Sequence, residues 1–329
     1  MSDFWTRRMM LGAACLAVTV AVTGTAFAQQ PQALKWAHVY ETSEPYHSWA
    51  EWAGKELVKR TDNRWTIEVF PASSLGKEED INEGLGLGTV DIIYTGQLFA
   101  GRTYGPLAIG GAPYMFRDYA HWETFSKSDL FKELAKGYGD KSGNEVITIT
   151  YYGQRHVTSK KPILKPEDMK GMKIRVPNAP LYKMFPEAVG ANPTPIAFAE
   201  VYLALQQGVV DGQENPLPTI QAKKFFEPNP HVNLTGHITD ALLTIVGGPA
   251  KAKLKAEDYA ILQAILREAA EKCTQDIGKK EKELVAWFKD NKVTVNEIDR
   301  APFREATVKA HNGPAATWPK EIYDKLQGL

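Results

Sequence analysis

The stretch Met172-Lys173-Ile174-Arg175-Val176-Pro177 opens a unit that closes at Val209-Val210-Asp211-Gly212-Gln213-Glu214-Asn215-Pro216. Lys173 to Val176 alternates polar and apolar side chains and stops at a proline, which cannot donate to a further ladder, so it reads as a short strand. Helical spacing follows over Leu181 to Val189 and Phe198 to Gln207, and Val209 to Gln213 returns to strand. Such alternation predicts a parallel sheet with right-handed crossovers, and a further strand, Glu145 to Tyr151, precedes it.

Outward from this unit, the first half of the chain has the same grammar. Leu34 to Val39 reads as a strand, Ser43-Glu44-Pro45 as a helix start, Trp65, Ile67 and Val69 as the next strand, Lys77 to Asp80 as a helix start and Val90 to Thr95 as a third strand. Leu85-Gly86-Leu87-Gly88-Thr89-Val90-Asp91 aligns in register with Leu205-Gln206-Gln207-Gly208-Val209-Val210-Asp211. In each, a helix ends at a glycine able to take the left-handed backbone of a C-terminal cap. Ligands of open parallel sheets lie beyond the carboxyl ends of the strands. The tips Thr95-Gly96-Gln97 and Glu214-Asn215-Pro216 would then face one another if the halves oppose across a cleft. Ala256 to about Lys292 is a proline-free helical pattern long enough to run along both halves, and two shorter patterns, 303–309 and 318–326, follow.

The 329 residues suffice for two domains, and Lys plus Arg balance Asp plus Glu at 39 each. No global field gathers a polyanion, so nucleic acid is not an expected partner. With 43% hydrophobic residues the chain can build packed cores. Arg7 and Arg8, the apolar run Met9 to Val22 and Ala26-Phe27-Ala28 form the pattern of an export signal cut after Ala28, by the general or the twin-arginine route. The processed chain keeps one cysteine, Cys273, within the long helical pattern, where a packed thiol is expected. Enzyme motifs are missing: the seven histidines never form H-x-x-x-H, no G-x-S-x-G or phosphate-binding glycine loop occurs, and Gly84, Gly86 and Gly88 precede a strand where a dinucleotide fingerprint would follow one. Neither a metal nor a cofactor is expected.

Three features point to an anion site, each with a second reading. Arg175 lies in an apolar strand, where burial requires an anion or an internal carboxylate partner. Gln154-Arg155-His156 follows the strand ending near Tyr152, as a donor cluster or as an exposed loop. Asn215 stands before Pro216-Leu217-Pro218, as an amide donor or as turn chemistry.

The ordered series Lys173-Ile174-Arg175-Val176-Pro177, Gly190-Ala191-Asn192-Pro193-Thr194-Pro195, Phe198 to Gln206 and Val210-Asp211-Gly212-Gln213-Glu214-Asn215-Pro216 resembles the substrate-binding proteins of TRAP transporters, the DctP family. Phe70-Pro71 to Leu75-Gly76, Gly88 to Asp91, Arg155 with Thr158, and Leu234 to His237 extend the resemblance over nearly all of the chain beyond residue 28. It implies an α/β, two-lobed periplasmic-binding-protein fold, type II-like, with mixed sheets flanked by helices and a long C-terminal helix bracing the hinge. Lobe I would comprise residues 29–152 plus about 241–280, and lobe II 153–240 plus about 281–329. Arg175 matches the arginine that grips the ligand carboxylate, Asn215 an amide on the same carboxylate, Arg155 a second cleft arginine and Phe198 an aromatic wall. Asn178 and His237 fall where residues line or support the pocket, and His38, Glu44, His47, Thr95, Gly96 and Gln97 occupy the first-lobe positions. Sialic-acid binders of the family carry an acid where this chain has Thr95 and Gly96, so the resemblance points away from that ligand. It implies a monomeric receptor for a small organic acid, a sugar acid or uronate before a C4-dicarboxylate, keto acid or aromatic acid, that delivers its cargo to small DctQ-type and large DctM-type membrane subunits. Two other readings are a periplasmic enzyme acting on a small acid and the receptor of an ABC importer, which has the same two-lobed plan.

Overall fold

A computed structural model describes residues 30–329; the expected signal, 1–28, lies outside the described residues. Nine strands share one sheet in the order β2-β1-β3-β8-β4-β7-β5-β6, with β9 pairing β8. They are β1 Gln32–Ala37, β2 Trp65–Phe70, β3 Ile92–Gly96, β4 Glu145–Ser159, β5 Lys173–Val176, β6 Asn192–Pro195, β7 Gly212–Pro216, β8 His231–Val246 and β9 Thr294–Asn296. The order is nearly a palindrome. β1 is flanked by β2 and β3, both parallel to it, and β5 by β6 and β7 in the same way. Each triplet is completed by an antiparallel neighbour, β8 beside β3 and β4 beside β7.

The alignment of residues 85–91 with 205–211 therefore has a structural counterpart. Gly88 and Gly208 both adopt positive φ, 74° and 71°, where a side chain would be strained. The Asp91 carboxylate accepts from Lys35 N at 2.9 Å, and the Asp211 carboxylate from Lys173 N at 2.8 Å. In both halves one aspartate accepts from a main-chain N–H of the central strand.

Three expectations need correction. The strand expected to end near Tyr151 runs on to Ser159, so Gln154-Arg155-His156 is neither tip nor loop. The strand expected at Val209 to Gln213 spans Gly212–Pro216, which puts Asn215 in a ladder rather than a turn. β8, 16 residues long, had no counterpart in the expected elements. β4 and β8 pair antiparallel along almost their whole length, with bulges that include one between Tyr151 and Gly153. They carry the sheet without interruption from one half to the other.

Helices cover both faces. α1 Pro45–Arg60 begins at its proline, whose missing N–H costs nothing in a first turn, and buries Tyr46, Ala50, Ala53 and Leu57. α2 Glu78–Leu87 carries Glu78, Glu79 and Asp80 in its first turn, where the helix dipole favours acids. α3 Asp129–Ser142 packs on the first half; α4 Val201–Gln206 and α5 Leu217–Ala222 on the second. α6 Ala256–Asp290 sets Leu262, Ile265, Leu266, Ala269, Cys273 and Ile277 into the core of the first half, then Leu284 and Phe288 into one core of the second. One helix thus joins both cores. The last, α7 Lys320–Gln327, returns to the first half, where His121 meets the Leu326 carbonyl at 2.9 Å and Lys325 faces Glu133. Among the described residues no helix is long and apolar enough to cross a membrane.

Candidate functional site

Where the carboxyl ends of β5 and β7 meet the loop after β1 and the start of α2, a pocket with about 460 Å³ of atom-free space, part of it in the mouth, opens between the halves. Arg175, Asn178, Phe198, Asn215 and Arg155 line its second-half side. Arg175 is 2% exposed. Its Nε and Nη2 donate to the Ile196 carbonyl at 2.9 and 2.7 Å, while Nη1 has no partner. Among the described residues no carboxylate lies within ion-pair distance of it. Burial pulls its pKa down to about 10 against the more distant charge of Glu214, so the site holds a cation whose desolvation outweighs the pull of the fixed anion. The internal-salt-bridge reading of Arg175 is thereby removed. The guanidinium also stands 5.9 Å from the Phe198 ring centroid.

Arg155 has the opposite environment. It too is 2% exposed, yet its donors are taken: Nε and Nη2 grip the Glu214 carboxylate, Nη2 also meets the Glu214 carbonyl at 2.7 Å, and Nη1 reaches Asp240 at 2.9 Å. Burial works against charge on Arg155, but Glu214 and Asp240 hold its pKa above the usual range. Burial alone would raise Glu214, which Arg155 and His237 instead hold down at about 2. His237 does not line the pocket; it sits behind Glu214 at 3.2 Å, stacked on Phe185 with centroids 4.0 Å apart. The exposed-loop reading of Arg155 fails, because β4 runs through the centre of the sheet. Asn215 is held in place by its neighbours: Nδ2 donates to Gln213 at 2.6 Å, and Oδ1 lies 3.2 Å from the Tyr152 hydroxyl.

The expected first-lobe residues stand behind the pocket wall. His38 and His47 pair with each other at 3.4 Å, and burial, with His47 beside it, pulls His38 down to about 3. Glu44 turns toward Thr219, Gln97 packs against Gly110, and Thr95 donates to Glu78 at 3.0 Å. The wall itself is made by Tyr40, Glu78 and Phe99, and Tyr152, Tyr182 and Asp240 line it as well. Glu78 also accepts from Gly96 N at 2.8 Å, and burial lifts its carboxyl to about 7. The sequence reading had Glu78 as part of the helix start Lys77 to Asp80. Its position in the first turn of a helix beginning after a loop was the available signal, since such a turn points at the cleft. Chemically, the pocket offers one unmatched cation, an amide, aromatic faces and a carboxyl, which suits a carboxylate bearing hydroxyl groups. No group of three or more potential metal ligands occurs among the described residues.

Residues 36–315 match the family described as bacterial extracellular solute-binding protein, family 7, DctP. The solute-binding protein RD1_1052 of Roseobacter denitrificans is 34% identical over 91% of each chain. Its crystal structure with bound L-galactonate superposes with a TM-score of 0.86, covering 92% of this chain and 99% of that one. The sialic acid-binding periplasmic protein SiaP of Vibrio cholerae is 32% identical over 87% of this chain and 89% of its own. A TRAP periplasmic solute binding protein of Polaromonas, bound to D-erythronate, is 30% identical with a TM-score of 0.86, covering 91% of this chain and 99% of that one.

Proposed function

From the premise that this chain belongs to the DctP family of solute-binding proteins, and so is a solute receptor of the TRAP type, we propose that its ligand is a small polyhydroxylated acid of the sugar-acid class. The observation that carries this reading is Arg175, buried with a free Nη1 and no acidic partner. An incoming carboxylate supplies the missing charge, and Asn215 stands beside it. Glu78 and the Tyr40 and Tyr182 rings then face the hydroxylated remainder. The L-galactonate and D-erythronate held by two similar proteins support the class.

The free acid enters the open cleft, Arg175 takes the carboxylate, and the halves close by bending at β4, β8 and α6. Closure excludes water and so strengthens the arginine–carboxylate attraction. A Kd near micromolar, about −8 kcal/mol, suits a protein that must also release its cargo. We infer export directed by residues 1–28, a monomer, and a closed form read by DctQ-type and DctM-type membrane subunits. The lobes would divide near residues 152 and 240, with α7 returning to lobe I.

A melting-point screen with L-galactonate, D-erythronate, succinate, sialic acid and galactitol tests the reading, because a ligand confined to the folded state must raise the midpoint. At least one sugar acid should raise it while galactitol, which lacks the carboxylate, should not. A rise with galactitol equal to that with the acids, or no rise with any acid, would overturn it.

A further inference from the structure

The loop between β1 and α1 meets α5 through polar contacts that do not touch the pocket. Glu44, fully buried, accepts from Thr219 Oγ1 at 2.6 Å through Oε1 and from Glu41 N at 2.8 Å through Oε2. The Thr219 oxygen lies 3.1 Å from the Tyr152 hydroxyl, which in turn reaches Asn215 Oδ1 at 3.2 Å. One row of contacts therefore runs from the ligand-side amide to a buried carboxylate of the first half.

A second row runs parallel to it. Lys223, just past the end of α5, pairs with Glu41 at 2.7 Å, and its ammonium stands 5.3 Å from the centroid of the Phe198 ring. The same ring meets the Arg175 guanidinium. Both residues assigned to the carboxylate, Arg175 and Asn215, are thus linked through one intermediate side chain and α5 to residues 41–44.

We propose that Glu41 and Glu44 on the first half, with Thr219 and Lys223 on the second, form a closure latch that positions the shut cleft around the clamp. This rests on the solute-receptor reading. Both contacts, Thr219–Glu44 and Lys223–Glu41, join different halves, so opening the cleft must break them. The Glu41–Lys223 pair is partly exposed and gains modestly, whereas the Thr219–Glu44 bond is sealed from water and is made to a carboxylate. Because the latch engages after the ligand has met Arg175, it acts on departure and leaves encounter alone.

The test is stopped-flow tryptophan fluorescence of the purified protein with L-galactonate and D-erythronate, comparing wild type, Thr219→Val and Lys223→Met. Both variants keep side-chain volume, and circular dichroism checks their fold. Loss of a buried hydrogen bond to a carboxylate should speed dissociation about tenfold in Thr219→Val, with Lys223→Met smaller but in the same direction and association within about twofold of wild type. Unchanged dissociation in both variants overturns the latch. If neither acid binds the wild type, the ligand reading fails by itself, and the latch is read without ligand from spin labels at Lys136→Cys and Lys170→Cys. The distance must then lengthen in the Thr219→Val, Lys223→Met double variant; an unaltered distribution overturns it.

Discussion

Replacing Arg175 and Arg155 in turn by methionine separates two buried arginines with the same exposure and opposite surroundings. Arg175→Met removes the buried guanidinium that, among the described residues, has no acidic partner to stand in for the ligand's charge. Truncating one partner of a buried, hydrogen-bonded charge pair costs about 2–5 kcal/mol, so the affinity for whichever acid raises the melting point should fall at least about 30-fold. The ligand-free protein should hardly notice. Arg175 is charged in a place that pulls its pKa to about 10, and methionine relieves that desolvation while giving up two bonds to the Ile196 carbonyl. These effects oppose, and the unfolding free energy should stay within about 1 kcal/mol of wild type. Arg155→Met instead leaves Glu214 and Asp240 buried without their counter-ion, for which about 3–5 kcal/mol of stability should be lost. Urea unfolding without ligand and calorimetric titration with it measure both quantities. Wild-type affinity in Arg175→Met would refute the clamp. Destabilisation of Arg175→Met equal to that of Arg155→Met would show a structural arginine instead.

Two further outcomes are expected. Burial lifts the Glu44 carboxyl from 4.5 to about 7, against the pull of Thr219, the Glu41 amide and Lys280. A carboxyl held more tightly protonated in the fold favours the native state below pH 4.5 and loses that advantage as pH rises through 7. The stability of Glu44→Gln relative to wild type should therefore climb by up to about 3 kcal/mol between pH 4.5 and 8, read from urea midpoints, and a pH-independent difference would contradict it. Gly153→Ala should destabilise by about 1–3 kcal/mol, since φ there is +120° and a Cβ would lie 2.8 Å from both Glu281 Oε1 and Pro216 Cβ; wild-type stability would show that the bulge relaxes freely.

Local signals carried the outer strands well. Lys173 to Val176 is β5 residue for residue, Pro45 opens α1, and the unbroken pattern from Ala256 became α6. The central pair was hidden for a physical reason. β8 carries Asn233, Thr235, His237, Thr239 and Asp240 buried, so it lacks the alternation of a half-exposed strand, and Gly236 at φ +53° reads as a break. Asn233, His237 and Asp240 are satisfied by partners distant in sequence, Ser159, Glu214 and Arg155, which no local window contains. β7 began later than expected because Val209 and Val210 look like strand residues, although Val209 is half exposed and the ladder starts at Gly212. On the site, Arg175, Asn215, Arg155, Phe198 and Asn178 were named from their motif and line the pocket, whereas His237 stands behind Glu214. The first-half wall was not so named: beyond β1 the chain presents Tyr40 to the pocket and turns His38 inward, a choice made by tertiary packing.

β4 and β8 cross from half to half as unbroken main chain, and Arg155 and Asp240 stand on them, next to the bulge at Gly153. In the closure proposed above, the part of the pocket that these two residues line is mounted on the axle of the movement and not on either door. An axle-mounted residue would shift little while the walls swing, so that part of the pocket would stay assembled in the open form. Ligand capture would then begin on a surface already in shape, and only the walls would have to travel.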